Sequence, residues 1–170
     1  MKKLLLLIPF LFVLGCSSDD SIIDDIKNPN DSYQVLSFSY DNQNYSESDD
    51  DYIHWEVGKN NDIIISQGLY GMLDCTNCDK SSTLKIYFNR VAIKPGDIIT
   101  DFSAYVTISD FGQFGYPTGD SYVKITKIDS DGSVSGEFFL NELSRLGVGE
   151  PRTINITNGL FENLKQDSDL

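Results

Sequence analysis

The sequence predicts an all-β protein: one antiparallel domain of about nine short strands with at most one short helix, arranged as a two-sheet sandwich or as a barrel-like closed sheet. Three observations point there. Runs rich in Val, Ile, Thr, Tyr and Phe recur at short intervals, separated by Gly, Asn, Asp and Pro. In the clearest run, Leu84, Ile86 and Phe88 fall on one face and Lys85, Tyr87 and Asn89 on the other, the period of two that a half-buried strand requires. Beyond residue 32, no stretch holds the apolar period of about 3.6 that a helix needs through three turns. Periodicity does not separate the two architectures, of which the sandwich is preferred.

The chain opens on MKKLLLLIPFLFVLGC. Lys2 and Lys3 make a basic start, and Leu4–Leu14 is an apolar run too short for a bilayer core, which needs about 20 residues. Residues 1–15 therefore have the proportions of a secretory signal. The ending, Val13, Leu14, small Gly15 and then Cys16, resembles the lipobox of bacterial lipoproteins. That resemblance implies cleavage before Cys16 and a diacylglyceryl group on its thiol. Acyl chains contribute about 0.8 kcal/mol per buried methylene, so two or three of them anchor almost permanently. Residues 16–32 read as a flexible acidic tether, with Asp19, Asp20, Asp24 and Asp25 followed by the turn formers Asn28, Pro29 and Asn30. Acids directly after a lipidated cysteine resemble the signal with which some Gram-negative bacteria send lipoproteins to the cell surface. The implied address is the outer membrane, held by lipid and displayed at the surface, with a periplasm-facing position as the alternative.

The domain, residues 33–170, offers strands at Gln34–Tyr40, Tyr52–Val57, Asp62–Tyr70, Thr83–Val91, Ser103–Ile108, Ser121–Ile128, Val134–Leu140, Arg152–Thr157 and Gly159–Leu164. Turn chemistry agrees. GKNND after the second strand, KPGD at Lys94–Asp97 and DSDG at Asp129–Gly132 are reversals, and Asn158 with Gly159 reads as a turn into the last strand. The helical candidate is Asn141–Gly147, where Leu143 and Leu146 stand three apart and Gly147 ends the run.

Charge narrows the partners. The formal net charge is −13, and it is two units more negative once Lys2 and Lys3 leave with the signal. Such a surface repels phosphate backbones and anionic lipid headgroups, which excludes nucleic acid and a basic membrane-docking face. The membrane is then reached through the N-terminal lipid, and neutral glycans, cations or an outer-membrane protein stand as partners. Apart from Cys16, the cysteines are Cys75 and Cys78, two residues apart in a loop-forming LDCTNCDKSS. Export to an oxidising compartment favours a disulfide-stapled loop. Neither a thioredoxin-type helix nor a four-ligand zinc set accompanies the pair.

Few residues point to chemistry. His54 is the single histidine, set between Ile53 and Trp55 in a predicted strand, and no GxSxG word accompanies it. No catalytic residue and no cofactor are assigned. Glu47, Asp49, Asp50 and Asp51 crowd acids into one loop, for which the two readings are a weak calcium site and a solvated loop. The segment DFGQFGYPTGDSY holds Phe111, Phe114, Tyr116 and Tyr122 among glycines. These rings either cap the core or offer faces to a sugar or a partner's groove.

The words KPGDI, VKITKIDSDGSVSGEF and INITNGLF, together with the lipobox and acidic tether, resemble a group of small all-β bacterial surface lipoproteins, over roughly Lys94–Phe161. The resemblance implies a fold and an address and supplies no reaction. The function expected is a non-catalytic binding or scaffolding module whose contact region is Phe111–Tyr122. The alternatives are an accessory subunit of an outer-membrane complex and an envelope hydrolase.

Overall fold

Leu84, Ile86 and Phe88 are buried while Lys85 and Tyr87 are part-exposed, so the alternation in this run is the inside and outside of a sheet. The computed structural model describes residues 33–48, 52–60, 63–90 and 92–167. The chain divides into Met1–Asp31 and Ser32–Leu170, and every described residue belongs to the second unit. The predicted signal, Cys16, the tether and Asp49, Asp50 and Asp51 lie outside the described residues.

Twelve strands form among the described residues: β1 (Val35–Tyr40), β2 (Gln43–Glu47), β3 (Ile53–Asn60), β4 (Ile63–Cys75), β5 (Ser81–Phe88), β6 (Ile98–Ile99), β7 (Ser103–Ile108), β8 (Gly112–Gly115), β9 (Tyr122–Ile128), β10 (Val134–Arg145), β11 (Thr153–Leu164) and β12 (Gln166–Asp167). The sheet runs β11-β1-β2-β4-β5-β7-β8-β10, and β10 pairs back onto β11. Eight antiparallel strands thus close into a barrel. Of the two architectures that the patterning leaves open, the closed sheet forms, not the sandwich. The other four strands hang on its long members: β9 extends β10 and carries β6, while β3 extends β4 and pairs in parallel with β12.

Closure needs curvature, and bulges supply it. Glu142 in β10 and Asn158 and Asn163 in β11 have positive φ angles of 50°, 52° and 53°. Each sits where the β10–β11 register slips by one residue, so two residues of one strand face one of the other. Asn158–Gly159 is therefore a bulge inside one continuous strand, where the sequence suggests a turn between two. The predicted helix at Asn141–Gly147 does not form either, since residues 141–145 complete β10.

An eight-stranded barrel is just wide enough for side chains to fill. Trp55, Phe88, Phe138 and Phe161 pack together inside, with ring centroids 5.8 to 6.5 Å apart along the series. Leu36, Phe38, Leu69, Ile86, Val106 and Ile125 complete the surrounding layers. Outward positions carry Lys85, Thr107 and the Lys124–Glu137 pair. Apolar within and polar without is the reverse of a lipid-facing barrel.

Antiparallel order puts the β1–β2, β4–β5, β7–β8 and β10–β11 turns at one end of the barrel, and residue 33 enters at the other. The first of these turns is the two-residue reversal Asp41–Asn42, both with positive φ, as tight hairpins require. The second holds a Cys75–Cys78 disulfide.

Candidate functional site

One register row crosses five strands. His54 on β3 is paired with Tyr70 on β4, Tyr70 with Lys85 on β5, Lys85 with Tyr105 on β7, and Tyr105 with Gly115 on β8. Alternation turns all of these outward, because their chain neighbours, such as Leu69, Leu84, Ile86, Val106 and Phe114, fill the core. A parallel row of Met72, Thr83, Thr107 and Gln113 lies beside it.

Rings dominate the first row. His54 stacks on Tyr70 at 5.1 Å. Tyr105 stacks on Tyr87 at 6.2 Å and meets Tyr116 edge-on at 5.8 Å. Gly115 leaves room for Tyr105: a Cβ there would lie 3.0 Å from the ring's Cδ1. Hydrogen bonds with the hydroxyls of Tyr87 and then Tyr116 push the Tyr105 phenol up to about 12. Tyr116 is 62% exposed and holds a positive φ of 55°, a conformation that bulky side chains rarely adopt. Such strain, at an exposed ring on an ordered scaffold, is characteristic of functional surfaces.

On this face Lys85 compensates Glu56. Lys85 Nζ lies 3.0 Å from Glu56 Oε2. His54 Nε2 stands 3.8 Å from Glu56 Oε1 and 4.0 Å from Asp167 Oδ2. Tyr70, Thr83, Lys85, Tyr105, Thr107 and Gln113 line a shallow depression of about 330 Å³. A second, of about 360 Å³, meets it at Thr83 and runs past Met72 and Asp74 to Tyr52 and Glu47. Ser82, whose buried Oγ has no hydrogen-bond partner among the described residues, is part of the wall of this second depression.

Of the four aromatic residues that the sequence singles out, only Tyr116 belongs to this face. Phe114 is fully buried on β8, where alternation turns it into the barrel, so it offers no face to a ligand. Phe111 sits at the β7–β8 turn, edge-on to Tyr40 at 5.8 Å, with Lys80 Nζ 4.3 Å and Arg152 Cζ 5.2 Å from its centroid. Tyr122 lies on β9 beside Phe139. The predicted contact loop is thus a strand and two turns whose rings point to separate places. Sequence reasoning missed Tyr70, Tyr87 and Tyr105 as one surface. The available signal was that the wet face of TLKIYFN already carried an aromatic residue.

Glu47 ends β2 beside the second depression. Among the described residues, no three His, Cys, Asp or Glu side chains gather closely enough to hold a metal ion. DSDG closes the β9–β10 hairpin: Asp131 Oδ1 accepts from Ser133 N at 3.0 Å and Ser133 Oγ at 2.8 Å, which holds its carboxyl below the ordinary range. No protein-family model, curated protein or solved structure matches the chain.

Proposed function

We propose that the protein is a lipid-anchored, surface-displayed outer-membrane lipoprotein whose barrel is a non-catalytic binding module, and that it binds through the outer face centred on Tyr105. The address rests on the lipobox ending at Cys16 and on the acids that follow it. The binding role rests on one observation above all: the His54–Tyr70–Lys85–Tyr105–Gly115 row, which concentrates rings on the outside of a water-facing barrel. Rings on central strands are held by the sheet, so they lose little freedom when a partner docks. The accessory-subunit reading through strand addition has less support. That route would use the edge of β3 past Trp55 and Glu56, the two residues with which β12 pairs.

Fractionation and crosslinking of intact cells test both halves. The lipidated protein is expected in the outer-membrane fraction, open to added protease, with Cys16→Ser released. Tyr105→Ala with Tyr116→Ala is expected to keep that location and lose the surface crosslinks. Crosslinks that persist in the double variant would move the binding surface elsewhere, and a soluble wild-type protein would overturn the address.

A further inference from the structure

Resting on that reading of the outer face, we infer that its ligand is a neutral, hydroxyl-rich chain, an oligosaccharide, lying along the two joined depressions. Charge comes first. Glu56 is already engaged by Lys85 at 3.0 Å, so the first depression holds no uncompensated cation for an anionic ligand, and the carboxylates of Glu47 and Asp74 along the second repel anions as well. The strongly negative chain repels anions further. This field excludes an anionic ligand, and the lining of the Tyr70–Tyr105 depression has no carboxylate to draw a cationic one.

The hydrogen-bonding groups fit the same ligand. Thr83, Thr107 and Gln113 follow one another across β5, β7 and β8, and their hydroxyl and amide groups have no hydrogen-bond partner among the described residues. Hydroxyls and amides both donate and accept, which is what sugar hydroxyls need. The rings fit it too. Tyr70 and Tyr105 stand on strands two apart, about 10 Å at the usual strand spacing, a span that a short run of linked sugar rings covers. Tyrosine offers each ring an apolar face and a polar tip. The depression does not end there, since at Thr83 it continues toward Met72 and Tyr52. An open, elongated channel suits a linear chain better than a compact metabolite, which needs enclosure on most sides.

Affinity electrophoresis of the full-length protein tests the assignment. The probes are gels containing a neutral β-glucan, a mannan or a xylan, with polygalacturonate as the anionic comparator. At least one neutral polysaccharide should retard the protein, and Tyr105→Ala or Tyr70→Ala should weaken that binding by about tenfold. Tryptophan emission reports whether each variant is folded. Should a tyrosine variant unfold, Gln113→Ala and Thr107→Ala, which remove only part-exposed or exposed groups, carry the test with the same expected direction. Retardation by none of the neutral probes, by polygalacturonate alone, or equally in wild type and variants would overturn the inference.

A last arm separates this failure from failure of the binding reading. Envelope material is oxidised with periodate, which cleaves sugar diols, or digested with protease. Tyr105-dependent binding that survives periodate and is lost to protease removes the oligosaccharide and keeps the face as a protein-binding surface. Binding lost to periodate supports the oligosaccharide. Envelope binding unaffected by Tyr105→Ala removes both.

Discussion

Phe161 lies against Gly136 on the neighbouring strand so closely that a Cβ built on the glycine would stand 2.4 Å from the ring's Cζ and 2.2 Å from the carbonyl oxygen of Lys124. The ring cannot retreat, because it is fully buried and stacks on Trp55 at 5.8 Å. The carbonyl belongs to the β9 ladder and cannot retreat either. Gly136→Ala is therefore expected to destabilise the barrel by about 1–3 kcal/mol, as overpacking does. Gly96→Ala meets no atom within 4 Å and bears only the strain of a positive φ, about 1 kcal/mol. Denaturant unfolding of the two variants should rank them in that order. Equal stabilities would mean that β9 and β10 can part without loss.

Trp55 Nε1 donates to Gln67 Oε1 at 3.2 Å inside the core, and Gln67 Nε2 donates to the Arg90 carbonyl at 3.4 Å. Gln67→Met keeps the volume and strands the indole N–H, at a cost of about 1–3 kcal/mol. Trp55 is the single tryptophan, so its emission reports the change directly and should shift to the blue as the hydrogen bond is lost. With Trp55→Phe added, followed by circular dichroism, the combined loss should fall short of the sum, because no donor is then left unpaired. Strict additivity would show that the bond contributes nothing.

Much of the fold is legible in the sequence where a strand buries one face. Leu84, Ile86 and Phe88, and Ile154 and Ile156, alternate and are buried as alternation demands. The segments missed are those without an apolar stripe. β2 turns only Tyr45 fully inward, β8 reads GQFG, and β6 and β12 have two residues each. Bulges misled in a specific way. Leu143 and Leu146, three apart, imitate helical spacing where β10 in fact runs on through the bulge at Glu142 to Arg145, and left-handed Asn158 carries the same chemistry in a bulge as in a turn. The binding face is less legible still. Its row joins five strands whose register is fixed by barrel closure, and no local pattern encodes which residue of β7 lies beside Lys85.

The Cys75–Cys78 bridge closes a very short ring at the β4–β5 turn, with a sequence separation of 3. Cross-linking so short a loop removes little unfolded-state entropy, about 2 kcal/mol in the chain-entropy model. The turn has other ties: Cys75 N donates to the Lys80 carbonyl at 2.9 Å, and Thr76 N to the Asn44 carbonyl at 2.8 Å. Reduction, or Cys75→Ala with Cys78→Ala, should lower the denaturant midpoint by no more than that energy and leave tryptophan emission native. Global unfolding on reduction would show that the bridge holds the barrel end together.

Tyr105 provides a pH signature of the outer face. Its hydroxyl is tied first to Tyr87 and then to Tyr116, and both bonds favour the protonated phenol and push it up to about 12. A group whose pKa is raised on folding adds stability that is fully present below its unfolded pKa, near 10 for tyrosine, and lost as pH rises through the folded value. The hydroxyl network should thus be intact at neutral pH and dissolve between about pH 10 and 12. Tyrosinate absorbance should show one residue ionising above the others. Tyr87→Phe, by removing the larger of the two bonds, should lower that midpoint more than Tyr116→Phe does. In the same interval the thermal midpoint of the wild type should fall toward that of Tyr105→Phe. A late-ionising tyrosine that persists in Tyr105→Phe would place the raised pKa elsewhere and remove the hydroxyl cluster from the account of this face.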